Sequence, residues 1–234
     1  MRELIVQDNA ITEARYEMSE LEKNIVYLLI RQLKENDLPE KEYIIDLTEI
    51  EKILGPLQEE SVRAARSNLI RRTYTIKRKN GDILIASLMS VVSYDTKQKT
   101  LGVKISHKIL PYFVALKENY TEFELHVALS LRHKYSKRLY EMLSQHKRQK
   151  VLNISIDELK WRLKLSGEKK KEEVYTQFSD FERQVLKIAQ KEMSEYADIT
   201  FDYEAKKTGR KYTDLVFKIR PVDQLSIPFP PQRG

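Results

Sequence analysis

Residues 45–54, IDLTEIEKIL, and residues 154–163, ISIDELKWRL, read as two copies of one unit. Ile45 lies over Ile154, Leu47 over Ile156, Ile50 over Leu159 and Leu54 over Leu163. In both copies a short β-branched run gives way to apolar residues at helical spacing, the pattern of a strand passing into a helix. A chain that repeats a supersecondary unit buries its apolar residues in two similar modules. The 234 residues are enough for two small domains.

The elements around the repeat follow in the same order in each half. Ser19 and Glu22 form a capping-box pattern ahead of Leu21, Ile25, Leu28, Leu29 and Leu33, predicting a helix over 20–34. A short strand over 43–46 follows, and Thr48 can cap a helix ending near Gly55-Pro56. A third helix over 59–72 turns Val62, Ala65 and Leu69 inward and Glu60, Arg63, Ser67 and Arg71 outward, with Arg66 on its flank. Asn80-Gly81 between two β-rich runs predicts a tight hairpin. A strand over 100–106 and a helix over 107–116 complete the first half. The second half reads as helices over 123–131 and 135–147, a strand over 153–156, and a helix over 158–165 capped by Asp157. A helix over 177–196, capped by Ser179, then precedes strands over 199–203 and 212–219. In this reading Thr208-Gly209 corresponds to Asn80-Gly81. Helix, strand, helix, helix, hairpin is the layout of a winged helix. The expected fold is therefore α+β, two tandem winged-helix domains over 1–118 and 119–221, followed by an extended Pro-rich tail over 222–234.

Wound at about 100° per residue, the 177–196 stretch places Phe178, Phe181, Val185, Leu186, Ile188, Ala189, Met193 and Tyr196 on one arc. Asp180, Arg183, Gln184, Lys187, Gln190 and Lys191 occupy the other; Glu192 falls among the apolar positions and needs a partner if buried. An ordinary solvated amphipathic helix would look the same, so the surrounding charge decides. Net charge is +7. Residues 63–79 hold seven Lys or Arg and no acid, residues 206–211 hold four cations, and residues 132–150 hold seven Lys or Arg. Two of these clusters coincide with the third helices and hairpins that face DNA in a winged helix, a coincidence that favours a polyanionic duplex as partner.

Other chemistries find little footing. There is no Cys, which removes disulfides, thiol catalysis and thiolate metal sites and fits a cytoplasmic chain. No run of about 18 apolar residues spans a bilayer, and the N-terminus lacks a signal-peptide core. His107, His126, His133 and His146 form no His-x-His pair, and no Gly-Lys pair exists for a phosphate-binding loop. The expectation is no catalytic residue, no metal and no cofactor. Trp161 reads as packing rather than as a base-stacking platform.

The runs YTEFELHVALSLRHKYSKRLYEMLSQHKRQ, ISIDELKWRL and FERQVLKIAQKEM, the last followed by a K-G-R wing, resemble the iteron-binding initiators of theta-replicating plasmids, over roughly residues 4 to 220. The resemblance implies a bacterial, plasmid-associated protein that binds direct repeats at an origin as a monomer, opens it, and helps bring in host replication initiation and helicase-loading proteins. It also implies that a homodimer, in equilibrium with the monomer, represses its own promoter. It assigns base reading to Arg183, Gln184 and Lys187, and phosphate contact to Lys191, Lys206, Lys207, Arg210 and Lys211. In the first module Arg63, Arg66, Ser67 and Arg71 belong to the helix entering the groove, and Lys77, Arg78 and Lys79 to the backbone. Two third helices entering the major groove about one turn apart imply a site of about 20 bp without two-fold symmetry. A dimeric winged-helix repressor with no initiator activity is the rival reading, and a nicking-type replication enzyme the more distant one.

Overall fold

The computed structural model describes residues 3–114, 116, 118–166 and 173–222. They form two compact units, the chain dividing between Ser130 and Leu131. The Pro-rich tail beyond Val222 lies outside the described residues.

The first unit opens with β1 (Leu4–Asp8), α1 (Asn9–Glu13) and α2 (Glu20–Gln32), then β2 (Tyr43–Asp46), α3 (Leu47–Leu54) and α4 (Glu59–Leu69). Next come β3 (Thr73–Lys77), β4 (Ile83–Ser87), β5 (Met89–Asp95), β6 (Thr100–Ile105), α5 (Pro111–Val114), β7 (Tyr120–Glu124) and α6 (Leu125–Ser130). Its sheets run in the orders β1-β7, β2-β6-β5 and β3-β4, all antiparallel.

The expected capping box is present at the start of α2: the Ser19 N–H donates to Glu22 Oε2 (3.0 Å) and the Glu22 N–H to Ser19 Oγ (3.2 Å). Glu22 is wholly buried, and the Arg72 guanidinium donates to both carboxylate oxygens at 2.7 and 3.0 Å. Arg72 thus leaves the basic 63–79 run to neutralise a buried acid, because an unpaired carboxylate there would cost several kcal/mol. Lys23 is also buried, its ammonium donating to Tyr16 Oη at 2.6 Å above the rings of Tyr16 and Tyr27.

The expected boundary at 118/119 moves to Ser130, and the helix expected from 123 starts at Leu125, because Tyr120–Glu124 pair with Leu4–Asp8. A short apolar run reads equally as helix or strand; here a buried relay selects strand. Gln7 donates to Thr12, Thr12 to Thr121, and Thr121 to Asn9, at 3.0, 3.0 and 2.7 Å. The helix expected over 107–116 shortens to Pro111–Val114 among the described residues.

The second unit consists of α7 (Lys134–Gln145), β8 (Val151–Ser155), α8 (Ile156–Arg162), and a helix whose parts are α9 (Phe178–Phe181), a π turn (Glu182–Leu186) and α10 (Lys187–Tyr196). The strands β9 (Ile199–Thr208) and β10 (Lys211–Pro221) follow, and the sheet order is β8-β10-β9. The basic run over 132–150 is only partly a surface feature: Lys137 and Arg138 are buried, Arg138 donating to Glu141 at 2.6 Å. Glu192 has the partner it needed. Its carboxylate accepts the His133 N–H at 3.1 and 3.2 Å, closing the start of α7.

The repeat is real in three dimensions. Ile45 and Ile154, Leu47 and Ile156, and Ile50 and Leu159 are buried in their own units, while of the fourth pair Leu163 is buried and Leu54 half-buried. The helix caps also correspond, though not at the expected residues. Asp46 accepts the Thr48 N–H at 2.8 Å and Ser155 accepts the Glu158 N–H at 3.1 Å, so Thr48 and Asp157 are inside the first turn rather than capping it. Each cap is the last residue of the preceding strand, where extended backbone aims the side-chain oxygen at the orphan N–H groups.

No helix among the described residues is long and apolar enough to cross a membrane.

Replacing Arg72 with Ala leaves Glu22 charged and buried; we expect a loss of about 3 kcal/mol in chemical denaturation, with Arg72→Ala and Glu22→Gln far from additive. Burial pushes His133 below its ordinary value of 6.5, outweighing the nearby Glu192 charge. The unfolded chain therefore binds a proton that the folded chain resists. Stability should fall as pH drops below about 6.5, and His133→Gln should flatten that slope.

Candidate nucleic-acid interface

In the second unit the α9–α10 helix and the β9–β10 hairpin form one surface. Phe181, Val185, Leu186, Ala189 and Met193 are buried, as the apolar arc required. Ser179 is not a cap: Gln177 occupies that place with no side-chain bond, and Ser179 lies within the first turn. The middle of the helix is a π turn, in which the Lys187 N–H donates to the Glu182 carbonyl five residues back. That wider turn lets consecutive Val185 and Leu186 both enter the core. It also brings the Lys187 ammonium to 3.8 Å from the Glu182 carboxylate, a pairing at the π spacing.

The helix is fastened to the hairpin along its polar side. Tyr203 Oη donates to Glu182 Oε1 at 2.8 Å, and Gln190 Nε2 donates to the Phe201 carbonyl at 2.7 Å. Burial and the Glu182 carboxylate raise Tyr203 well above the ordinary phenol range, so it donates at any physiological pH. At the helix start Phe178 stacks on Tyr212 with ring centroids 4.3 Å apart, and Lys207 Nζ lies 4.4 Å from the centre of the Tyr212 ring.

This framework brings the expected residues together on one unit. Arg183 and Lys187 are exposed on the helix; Arg183 donates to Asp180 Oδ1 at 2.7 Å. Gln184 is half-buried beside them, and Lys191 is exposed a turn further on. Lys206, Lys207, Arg210 and Lys211 are exposed around the hairpin tip, where Gly209 has φ 63°, a left-handed conformation that glycine adopts without strain. Gln190, which shared their arc, serves the β9 backbone instead.

The first unit corrects one correspondence. The Asn80-Gly81 hairpin forms, with Gly81 at φ 90°, but β3 and β4 make a sheet of their own. In the second unit β8 pairs with β10 of the terminal hairpin; in the first, β2 pairs with β6, the partner of β5. The counterpart of β9–β10 is therefore β5–β6, and β3–β4 is an inserted hairpin. Lys77, Arg78 and Lys79 are exposed on that insertion. Arg63, Ser67 and Arg71 are exposed on or just beyond α4, and Arg66 is half-buried with its guanidinium 5.7 Å from the centre of the Tyr94 ring on β5. Arg63 meets Glu59 at 3.5 Å, and Arg71 donates to Asn68 Oδ1 at 3.1 Å. Lys97, exposed in the turn between β5 and β6, had no sequence signal to single it out.

Among the described residues no group of three His, Asp or Glu is placed to hold a metal ion. Tyr203→Phe removes the helix-to-hairpin bond without changing charge; we expect a loss of about 1 kcal/mol in thermal or chemical unfolding.

Comparison with known proteins accords with this architecture. The family model described as "Initiator Replication protein, WH1" matches residues 4–144, and that described as "Initiator Rep protein, WH2" matches residues 155–219. A "Replication initiation protein" of Escherichia coli is 25% identical over 240 residues, covering 97% of this chain and 73% of its own length. The "PI protein" of Escherichia coli is 29% identical over 144 residues, covering 56% of this chain and 47% of its own length. A crystal structure of Pi initiator protein in complex with iteron DNA shares the fold, with a TM-score of 0.76 at 21% identity over 95% of this chain and 98% of that one. With both modules matched in order, the chain belongs to the initiator replication protein family and consists of two tandem winged-helix domains.

Proposed function

We propose that this chain binds direct repeats in duplex DNA at a plasmid origin and so starts replication. The observation that carries the reading is the surface of the second unit, where exposed Arg183 and Lys187 and four hairpin cations share one face of a winged-helix module. Family membership supports it, as does the fold shared with a Pi initiator protein solved on iteron DNA.

In this reading Arg183, Gln184 and Lys187 meet base edges in the major groove. Arg suits guanine and Gln suits adenine, each through paired hydrogen bonds. Lys191, Lys206, Lys207, Arg210 and Lys211 hold phosphates and fix register. In the first module Arg63, Arg66, Ser67 and Arg71 face the adjacent groove. The turn between β5 and β6 takes the wing's place there, with Lys97 toward the backbone. Lys77, Arg78 and Lys79 contact phosphate where the duplex runs past the inserted hairpin. The monomer acts at the origin and draws in host initiation and helicase-loading proteins, while a homodimer represses the promoter. The chemistry is binding, with no catalytic residue.

Selection of bound duplexes from a random library tests this directly. One asymmetric site of about 20 bp is expected for two unlike modules on one duplex; a short palindrome would point to the repressor instead. Arg183→Ala with Lys187→Ala should weaken the selected duplex at least tenfold, each lost base contact being worth about 1–3 kcal/mol. Neutralising roughly six to ten phosphates should lower affinity about 10³- to 10⁵-fold between 50 and 200 mM salt. Conversion of supercoiled plasmid to nicked circles with divalent metal would favour the enzyme reading.

A further inference from the structure

The cations of the second unit fall into two electrostatic classes. Arg183 is held by Asp180 at 2.7 Å and Lys187 by Glu182 at 3.8 Å, both acids lying within the same helix. Lys191, Lys206, Lys207, Arg210 and Lys211 have no carboxylate within 4.0 Å among the described residues. The paired cations are those placed to read bases, and the unpaired ones are those placed on phosphates. Hairpin acids are not lacking: Glu204 and Asp202 pair with Lys218 and Arg220 further down the strands, and Glu204 also feels the Lys206 charge without pairing with it. The first unit shares this only in part: on α4 Glu59 pairs with Arg63, while Arg66 packs on the Tyr94 ring and Arg71 donates to Asn68.

We propose, building on the DNA-binding reading above, that Asp180 and Glu182 are specificity-determining residues that tether Arg183 and Lys187 against indiscriminate phosphate contact. A free cation is attracted to any duplex through counterion release, whatever its sequence. An adjacent carboxylate cancels most of that attraction, because the pair approaches a phosphate with nearly no net charge. The donors are not consumed: Arg183 offers five N–H groups and gives one to Asp180. Leaving the tether, or sharing it, is favourable only where a base edge accepts paired hydrogen bonds. Wrong sequences lack that return, so the acids weaken non-specific binding more than specific binding. Glu182 is suited to the task because Tyr203 orients its carboxylate from the hairpin, and the π turn sets Lys187 against it. Asp180 and Glu182 thus act through the cations they hold and are positioning residues.

The test uses the full chain and two duplexes of equal length, one enriched by the protein from a random library and one a scrambled version of it. Asp180→Asn and Glu182→Gln keep side-chain shape and an acceptor oxygen while removing charge. Each should raise affinity for the scrambled duplex about two- to fivefold, the scale of an exposed ion pair, with a smaller change on the selected duplex. The specificity ratio should therefore fall, and the salt dependence on the scrambled duplex should steepen. An unchanged ratio would overturn the proposal. So would parallel losses on both duplexes with a lowered melting temperature, which mark a purely structural role. If Arg183→Ala with Lys187→Ala leaves the selected duplex bound as tightly as before, base reading by this helix is itself wrong and the tether falls with it.

Discussion

A carboxylate drawn out of water must be satisfied where it lies, and in each unit one acid, wholly buried Glu22 in the first and half-buried Glu192 in the second, ties a second element to its helix. In the first unit Glu22 closes its own helix through Ser19 and takes the Arg72 guanidinium on both oxygens. That pairing fixes where the chain stands as it leaves α4 for β3, since Arg72 lies between them. In the second unit the Glu192 carboxylate, on α10, accepts the N–H that opens α7. The helix proposed to read DNA is thus tied to the first helix of its own unit by a charge-assisted bond. The first arrangement is the costlier to break, because the Glu22 carboxylate cannot regain water without opening the core around it, whereas Glu192 is half-exposed.

On the exposed side the same charges act under different rules. Arg183 and Lys187 are solvated, and their acid partners are worth little for stability. What such pairs change is the field a partner meets. The helix presents Arg183 and Lys187 beside acids, while the cations of the hairpin tip have no carboxylate within ion-pair distance among the described residues. The Phe178–Tyr212 stack and the bonds from Tyr203 and Gln190 keep the two at a fixed spacing. A groove and its flanking phosphates have a comparable division, with patterned hydrogen-bond sites between lines of charge.

Much of this could be read in the linear chain. The capping box at Ser19, the inward arc from Phe181 to Met193 and the Gly81 and Gly209 turns all arise from contacts within a few residues. Local physics dictates them wherever the segment is placed. The repeat of 45–54 in 154–163 holds at three of its four matched positions, which both copies bury; at the fourth Leu163 is buried and Leu54 half-buried. What escaped depended on distant partners. Thr121 and Phe123 pair with β1 across most of the first unit's sequence, Thr121 also through the side-chain relay, and a five-residue run carries no sign of such a partner. The true counterpart of the second hairpin, β5–β6, was hidden because an inserted hairpin with a stronger turn signal stood ahead of it. Helix caps slipped by two residues in both copies, since Asp46 and Ser155 aim inward only when the preceding strand is extended.

The sequence by itself determined the two-module plan, the apolar faces, the turns and the cluster of cations along 183–211, because spacing and charge are properties of neighbours in the chain. The tertiary structure decided which charges are available. It turned Arg72, Lys137 and Arg138 inward and left Lys97 at an exposed turn. It also wound residues 182–186 into a π turn that sets Glu182 against Lys187 and Tyr203. Whether a cation meets solvent or an acid depends on what packs around it, and that environment is assembled from residues far apart in the chain.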